Sequence, residues 1–209
     1  MRDFVLFFIS IFSIVNPFSA IPTFVSMSGD VPKPVRSSMI TQASVAVFVI
    51  LVVSYIAGQG LLAFFSIRVA SLRVAGGFLI FSMAWAMLQA RISPAKQTPE
   101  EAEESGERNA AAIVPLAMPL LAGPGAISLM IIEAGRGDGF PHHAAVLAAV
   151  LALCVSIWII LQSAGPIARV LGQTGMNVAT RFMGLILAAI AVEFITTGLS
   201  EIFPGWSVP

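Results

Sequence analysis

Two proline-containing segments have the residue types that could bind a solute through the main chain. Their residues are Asn16, Pro17, Phe18 and Ser19 in the first segment and Gly123, Pro124, Gly125 and Ser128 in the second. A proline inside a helix lacks the N–H that would bond the carbonyl four residues earlier, and its ring clashes with that carbonyl. Each segment is therefore expected to interrupt a helix, and Pro22 and Pro119 are expected to add a second break to each.

The interrupted helices would present two kinds of polar group. A helix N-terminus has free N–H groups and a partial positive charge that suit a carboxylate, whereas freed carbonyl groups suit an ammonium group. Together they predict a site for a zwitterion such as an amino acid. Proline-kinked helices that only pack against each other are the alternative, but two matching double breaks beside Asn16, Ser19 and Ser128 favour a site.

Three charged residues are candidates for coupling or for lining a pathway, namely Glu193, Arg73 and Arg181. Glu193 interrupts an apolar run, and a carboxylate at mid-membrane depth costs about 2.5–3.5 kcal/mol unless it faces a cavity or a partner. It is therefore expected either to couple protons or to hydrogen-bond a neighbouring helix. Arg73 and Arg181 stand at predicted helix starts, where they would bind an anionic solute group or extend to the lipid headgroups.

The patterns that resemble catalytic or metal sites lack the companions that this chemistry needs. Residues 135–138 read Gly-Arg-Gly-Asp, as in intramembrane aspartyl proteases, but the other aspartates, Asp3 and Asp30, stand at span ends. The adjacent His142 and His143 lack metal-ligand spacing and an acidic companion. We predict no enzyme activity, no metal and no cofactor.

The composition predicts a membrane protein with six transmembrane helices. The 209 residues are 57% hydrophobic and 11% charged, with a mean hydropathy of +0.93, whereas a soluble domain has roughly a quarter charged residues. The formal net charge of zero gives no electrostatic surface for nucleic acid. A span needs about 20 apolar residues, and charge-poor windows predict spans at 4–27, 39–64, 70–89, 110–132, 144–165 and 180–202.

The two halves of the chain resemble each other. The matching pairs are Pro17 with Pro124 and Gly58 with Gly165 at a spacing of 107 residues, and Arg73 with Arg181 and Gly76 with Gly184 at a spacing of 108. Because each half has three spans, the second half would cross the membrane in the opposite direction, as in many secondary transporters. We predict an all-α membrane protein built as two inverted three-helix repeats, residues 1–90 and 110–209, joined by a polar, acidic linker at 91–109. Spans 1 and 4 would be broken near the midplane.

The distribution of Lys and Arg predicts the orientation. Loops after spans 1, 3 and 5 contain Lys33, Arg36, Arg91, Lys96, Arg108, Arg169 and Arg181, whereas the opposite side has Arg2, Arg68, Arg73 and Arg136. By the positive-inside rule, both termini lie outside the cytoplasm.

Several strings of the sequence resemble the MarC family of bacterial inner-membrane proteins, which includes SnatA and YhgN relatives. The strongest is Val-Pro-Leu-Ala-Met-Pro-Leu-Leu-Ala-Gly-Pro-Gly at 114–125, and the others lie at 16–22, 55–59, 72–77 and 181–187. The resemblance extends over almost the whole chain and implies an integral inner-membrane protein with six spans. Some members of the family are regarded as transporters or exporters of small neutral amino acids.

The resemblance also implies which residues form the broken-helix site, namely Asn16, Pro17, Pro119, Gly123, Pro124 and Gly125. Glu193 departs from the family pattern, in which glutamine is usual.

The functional prediction is a secondary transporter or exporter of small neutral amino acids or related small metabolites. An aquaporin-like channel also combines inverted halves with Asn-Pro motifs, although its motifs lie in re-entrant loops after the second span of each half. A non-transporting membrane scaffold is the third reading. The expected partners are a small solute, the lipid bilayer and further copies of the chain.

Overall fold

The computed structural model describes residues 2–28, 31–89, 121–137 and 139–206, and these residues form helices without any strand. The α-helices are α1 (Arg2–Val15), α2 (Ile21–Ser28), α3 (Lys33–Phe64), α4 (Val69–Leu88), α5 (Pro124–Ala134), α6 (Phe140–Gln162) and α7 (Ala164–Ile202). Short 3-10 turns occupy Pro17–Ala20 and Pro204–Trp206. The prediction of an all-helical protein is confirmed for this part of the chain.

Four helical segments are long and apolar enough to cross a membrane. They are α3, α4, α6 and the Thr174–Ile202 part of α7, and two shorter apolar helices accompany them at Phe4–Ala20 and Pro124–Ala134. The predicted spans 70–89 and 144–165 agree with α4 and α6 within a few residues, whereas α3 begins six residues before its predicted start. The helix α7 is interrupted at Gly172, whose φ of 59° is favourable only for a residue without a side chain. The four candidate spans agree with the prediction of a multi-pass membrane protein.

The first predicted span is discontinuous, as its proline indicated. The helix α1 ends at Val15, Asn16 has left-handed angles of φ 46° and ψ 73°, and a 3-10 turn then leads into α2. The second break expected at Pro22 is wrong. Pro22 lies in the first turn of α2, where its missing N–H removes no helical hydrogen bond. The corresponding break at Pro119 lies outside the described residues.

The helices α4 and α7 form the most extensive helix pair, and glycines let their backbones approach closely. A Cβ atom at Gly77 would lie 3.0 Å from the carbonyl oxygen of Ala191 and 3.1 Å from the nitrogen of Ile195. A Cβ atom at Gly184 would lie 3.1 Å from the carbonyl oxygen of Ala84.

The other contacts link the first and last parts of the chain. The helix α3 packs against α5 and α6, α1 packs against α6, α4 packs against α5, and α2 packs against α7. Fully buried side chains from α1, α4 and α5, including Ile14, Ile80 and Met130, lie in one apolar core. This core surrounds the break at Asn16 and the start of α5.

Candidate functional site

Asn16 forms the break between α1 and the following 3-10 turn. Its N–H donates to the carbonyl of Phe12 at 2.8 Å, and its own carbonyl accepts from the N–H of Ser19 at 3.1 Å and from the Ser19 hydroxyl at 2.8 Å. The main chain is therefore satisfied at this point although the helix is not continued. Asparagine also tolerates the left-handed region better than most residues, because its short side chain bonds locally.

The side chain of Asn16 is poorly satisfied. The residue is only 1% exposed, and its Nδ2 donates to the sulfur of Met87 at 3.6 Å, a weak acceptor. Its Oδ1 is buried without a hydrogen-bond partner. A buried acceptor without a partner costs about 1–3 kcal/mol, so this oxygen is the strongest candidate for binding a hydrogen-bond donor from a solute.

The start of α5 supplies a donor. Gly123 has an extended conformation and immediately precedes α5, and the first residue of α5 is Pro124. The N–H groups of Ala126 and Ile127 both donate to the carbonyl of Gly123, at 3.0 and 3.2 Å. Gly125 lies in the first turn of α5, where N–H groups have no acceptor within the helix, and its N–H has no partner among the described residues.

The helix α4 contacts both the break at Asn16 and the start of α5. Met87 contacts Asn16, and a Cβ atom at Gly125 would lie 2.7 Å from Cγ1 of Ile80. One turn earlier, a Cβ atom at Gly76 would lie 2.8 Å from Cβ of Ser128. The structure thus brings Asn16, Gly125 and Ser128 to one side of α4. Sequence reasoning missed this common wall, although its contacting residues recur at helical spacing.

The charged candidates lie elsewhere. Arg73 is buried and forms an ion pair with Glu201 on α7, so its guanidinium already has a carboxylate partner. Arg181 and Glu193 are exposed on the outer surface of α7.

Phe18, a further predicted site residue, packs edge-to-face on Phe12, with ring centroids 6.0 Å apart. Pro119 lies outside the described residues.

A polar cluster at the C-terminal end of α5 was also missed. Glu133 is buried, accepts a hydrogen bond from Arg136 at 3.2 Å and lies 3.9 Å from Nε2 of His142. The hydroxyl of Tyr55 on α3 and Nδ1 of His143 on α6 are 2.6 Å apart. This cluster ties α5 to α3 and α6. No group of three or more potential metal ligands occurs in the described residues.

The chain is similar to membrane proteins from bacteria and archaea. The model of the MarC family of integral membrane proteins matches residues 1–203. The UPF0056 membrane protein YhcE of Escherichia coli strain K12 is 39% identical over 199 residues, which cover 95% of this chain and 93% of the relative. YvbG of Bacillus subtilis strain 168 is 34% identical over 198 residues, with 94% of both chains covered. PH0760 of Pyrococcus horikoshii is 32% identical over 204 residues, with 97% of both covered. No solved structure matches the chain.

Proposed function

Because the chain belongs to the MarC family of integral membrane proteins, we propose that it is a secondary transporter or exporter of small neutral amino acids or related zwitterions. The observation that carries this proposal is the buried Oδ1 of Asn16, which has no partner at a break in a helix within an apolar core. A group of this kind is costly in a membrane protein unless it binds something.

The two breaks provide complementary groups for a zwitterion. Oδ1 of Asn16 would accept from the ammonium group, and the N–H of Gly125 at the start of α5 would donate to the carboxylate. Their contact residues on α4, Met87 and Ile80, are seven positions apart, a rise of about 10 Å. An α-amino acid with a hydrogen bond of about 3 Å at each end spans roughly 9 Å.

The walls of the site favour a small neutral side chain. Gly125 is in close contact with Ile80 and Ile14, since an added Cβ would lie 2.7 and 3.3 Å from their side chains. Neither wall offers a charged group to a solute side chain. Asn16 and Ser128 are both buried, so a solute would enter only after helices move apart, as alternating access requires.

We further propose that the helices form two inverted repeats, residues 1–90 and 110–209. Two observations support this arrangement. The contact of Gly77 with Ala191 has a counterpart in the contact of Gly184 with Ala84, at the spacing of 107 residues that also separates Pro17 from Pro124. In addition, the packing of α5 on α3 corresponds to that of α2 on α6, and the packing of α4 on α5 corresponds to that of α7 on α2.

In this arrangement the protein would lie in the inner membrane with both termini in the periplasm. The excess of Lys and Arg in the loops after spans 1, 3 and 5 supports this orientation. Labelling of single cysteines placed near residues 67 and 139 by a membrane-impermeant maleimide in intact spheroplasts would check it.

Counterflow of labelled alanine in proteoliposomes tests the function. We expect saturable exchange that unlabelled glycine, alanine and serine inhibit. Alanine methyl ester lacks the carboxylate and lactate lacks the ammonium group, so neither should compete. Inhibition by lactate equal to that by alanine, or no exchange with any zwitterion, would contradict the proposal.

The two rival functions give different results. An aquaporin-like channel would raise water or glycerol permeability in stopped-flow measurements without saturation by amino acids. A scaffold would show neither activity. The burial of Asn16 does not favour a continuously open channel.

A further inference from the structure

Glu193 occupies an unusual position for a charged residue in a membrane helix. It is exposed on the surface of α7, twelve residues after Arg181 and eight before Glu201. Eight residues of helix correspond to about 12 Å, so Glu193 lies well inside the apolar segment Thr174–Ile202. Its carboxyl group has no hydrogen bond or ion pair with any described residue.

Lipid cannot satisfy this carboxyl group. A carboxylate at mid-membrane depth is costly, and such groups normally pair with protein or face a cavity. Lysine and arginine can extend a long side chain to the headgroups, but glutamate has only two methylene groups. The described residues offer the carboxyl group no partner at this depth, and a neighbouring molecule in the bilayer could supply one.

The surface around Glu193 has the composition of a helix-packing face. Ala189, Glu193, Thr196 and Ser200, which we call the α7 stripe, follow one another at helical spacing on one side of α7. Small and hydroxyl residues let helices approach closely in lipid and hydrogen-bond across the interface. The part of α7 that contains the stripe is also the least buried of the four candidate spans.

We propose that the α7 stripe is the interface of a homodimer whose two-fold axis runs along the membrane normal. A second copy in the same bilayer has the same orientation, so its stripe lies at the same depth. Glu193 and Thr196 are three residues apart, a rise of about 4.5 Å, which a glutamate side chain can bridge. Glu193 of each copy would therefore meet Thr196 of the other. The Thr196 hydroxyl donates to the carbonyl of Val192 at 2.9 Å within its own helix, and in the dimer it would turn to the carboxyl group of the facing copy.

The stripe favours a second copy over a different protein because it is self-complementary. A two-fold interface brings the same surface patch together from both sides, so every group must find its partner within that patch. Here one stripe contains both the carboxyl group and the hydroxyl oxygens. The interface is independent of the solute site, since it uses the outer surface of α7.

Disulfide trapping in proteoliposomes tests where the copies meet. In a Cys154→Ala background, Ala189→Cys and Ser200→Cys should each form disulfide-linked dimers under mild oxidation. Val53→Cys, at an exposed position on α3, is the control and should remain monomeric. Efficient trapping at position 53 without trapping at 189 and 200 would overturn the proposal.

Dimer dissociation tests the role of the carboxyl group. We expect Glu193→Leu to weaken dimerisation in liposomes roughly tenfold, measured by energy transfer between labelled copies on dilution, because two symmetric interhelical hydrogen bonds are lost. Glu193→Gln, which can still hydrogen-bond, should dimerise like the original protein. A monomeric original protein, or equal dimerisation of the leucine variant, would refute the interface, and neither result would bear on amino acid counterflow.

Discussion

Replacing Asn16 by glycine separates a binding role from a structural one. Glycine adopts the left-handed angles of φ 46° and ψ 73° without strain, so the break between α1 and the 3-10 turn should persist. The change removes only the carboxamide, including the buried Oδ1 that lacks a partner. If this oxygen exists to bind a solute, its loss should reduce affinity far more than stability.

The effect on stability is a difference between two terms of similar size. Removing a buried acceptor without a partner relieves about 1–3 kcal/mol. The cavity that remains costs roughly 1 kcal/mol, taking about 24 cal/mol per Å³ for a void of about 50 Å³. The weak contact with the sulfur of Met87 adds little. We therefore expect the free energy of unfolding of Asn16→Gly to be unchanged or to rise by up to about 2 kcal/mol.

The effect on solute binding should be large. A hydrogen bond to a charged group contributes about 1.5–3 kcal/mol, which corresponds to a roughly 10- to 150-fold loss of affinity. Alanine binding would be measured by calorimetry, and stability by thermal unfolding in the same detergent. Ser10→Ala, which removes a hydroxyl that donates to Leu6 within α1, is the control and should change neither quantity.

The opposite result would refute the reasoning. If Asn16→Gly unfolds with a loss above about 3 kcal/mol while its folded fraction binds alanine normally, Asn16 is a structural cap of the break. The proposed ammonium ligand would then be wrong.

Two further predictions concern packing and the polar cluster. Gly77→Ala and Gly184→Ala should each lower stability by about 1–2 kcal/mol, because the added Cβ meets backbone atoms of the facing helix, whereas Gly60→Ala has open space and should be neutral or stabilising by up to about 1 kcal/mol. Thermal unfolding would check this, and clearly unequal effects at 77 and 184 would contradict equivalent repeats. Tyr55→Phe should cost about 0.5–1.5 kcal/mol by removing the 2.6 Å bond to His143. A double-mutant cycle with His143→Leu that gives no coupling energy would contradict that contact.

The sequence predicted those features that depend on local chemistry. The apolar runs of α4 and α6 are long enough to be recognised without any partner. The break at Pro17 follows from a missing N–H and a fixed φ, which belong to the residue itself. Pro124 begins α5, and the segment that would precede a break there lies outside the described residues. Pro22 shows the limit of this reasoning. Its effect depends on where the next helix begins, and α2 begins one residue before it.

Long-range partners could not be predicted from one sequence. Asn16 contacts Met87, Arg73 pairs with Glu201, and Tyr55 meets a histidine on α6, and each pair is far apart along the chain. In a membrane protein both lipid and protein core favour apolar side chains, so the buried face of a helix has no distinctive composition. For this reason the sequence could not predict whether Glu193 faces the other helices or the lipid.

Polar groups in the apolar region fall into two classes, and the distinction supports both proposals. Arg73 and Glu201 satisfy each other, as do Tyr55 and His143, and these pairs stabilise contacts between helices. Among the described residues, Asn16 Oδ1 and Ser44 Oγ are buried without a partner, and the exposed carboxyl group of Glu193 has none either. Water is excluded from the positions of Asn16 and Glu193 once the helices lie in lipid, so each group retains its full desolvation cost until another molecule satisfies it. An inward-facing group requires a partner small enough to enter between helices, and an outward-facing group requires one that shares the bilayer.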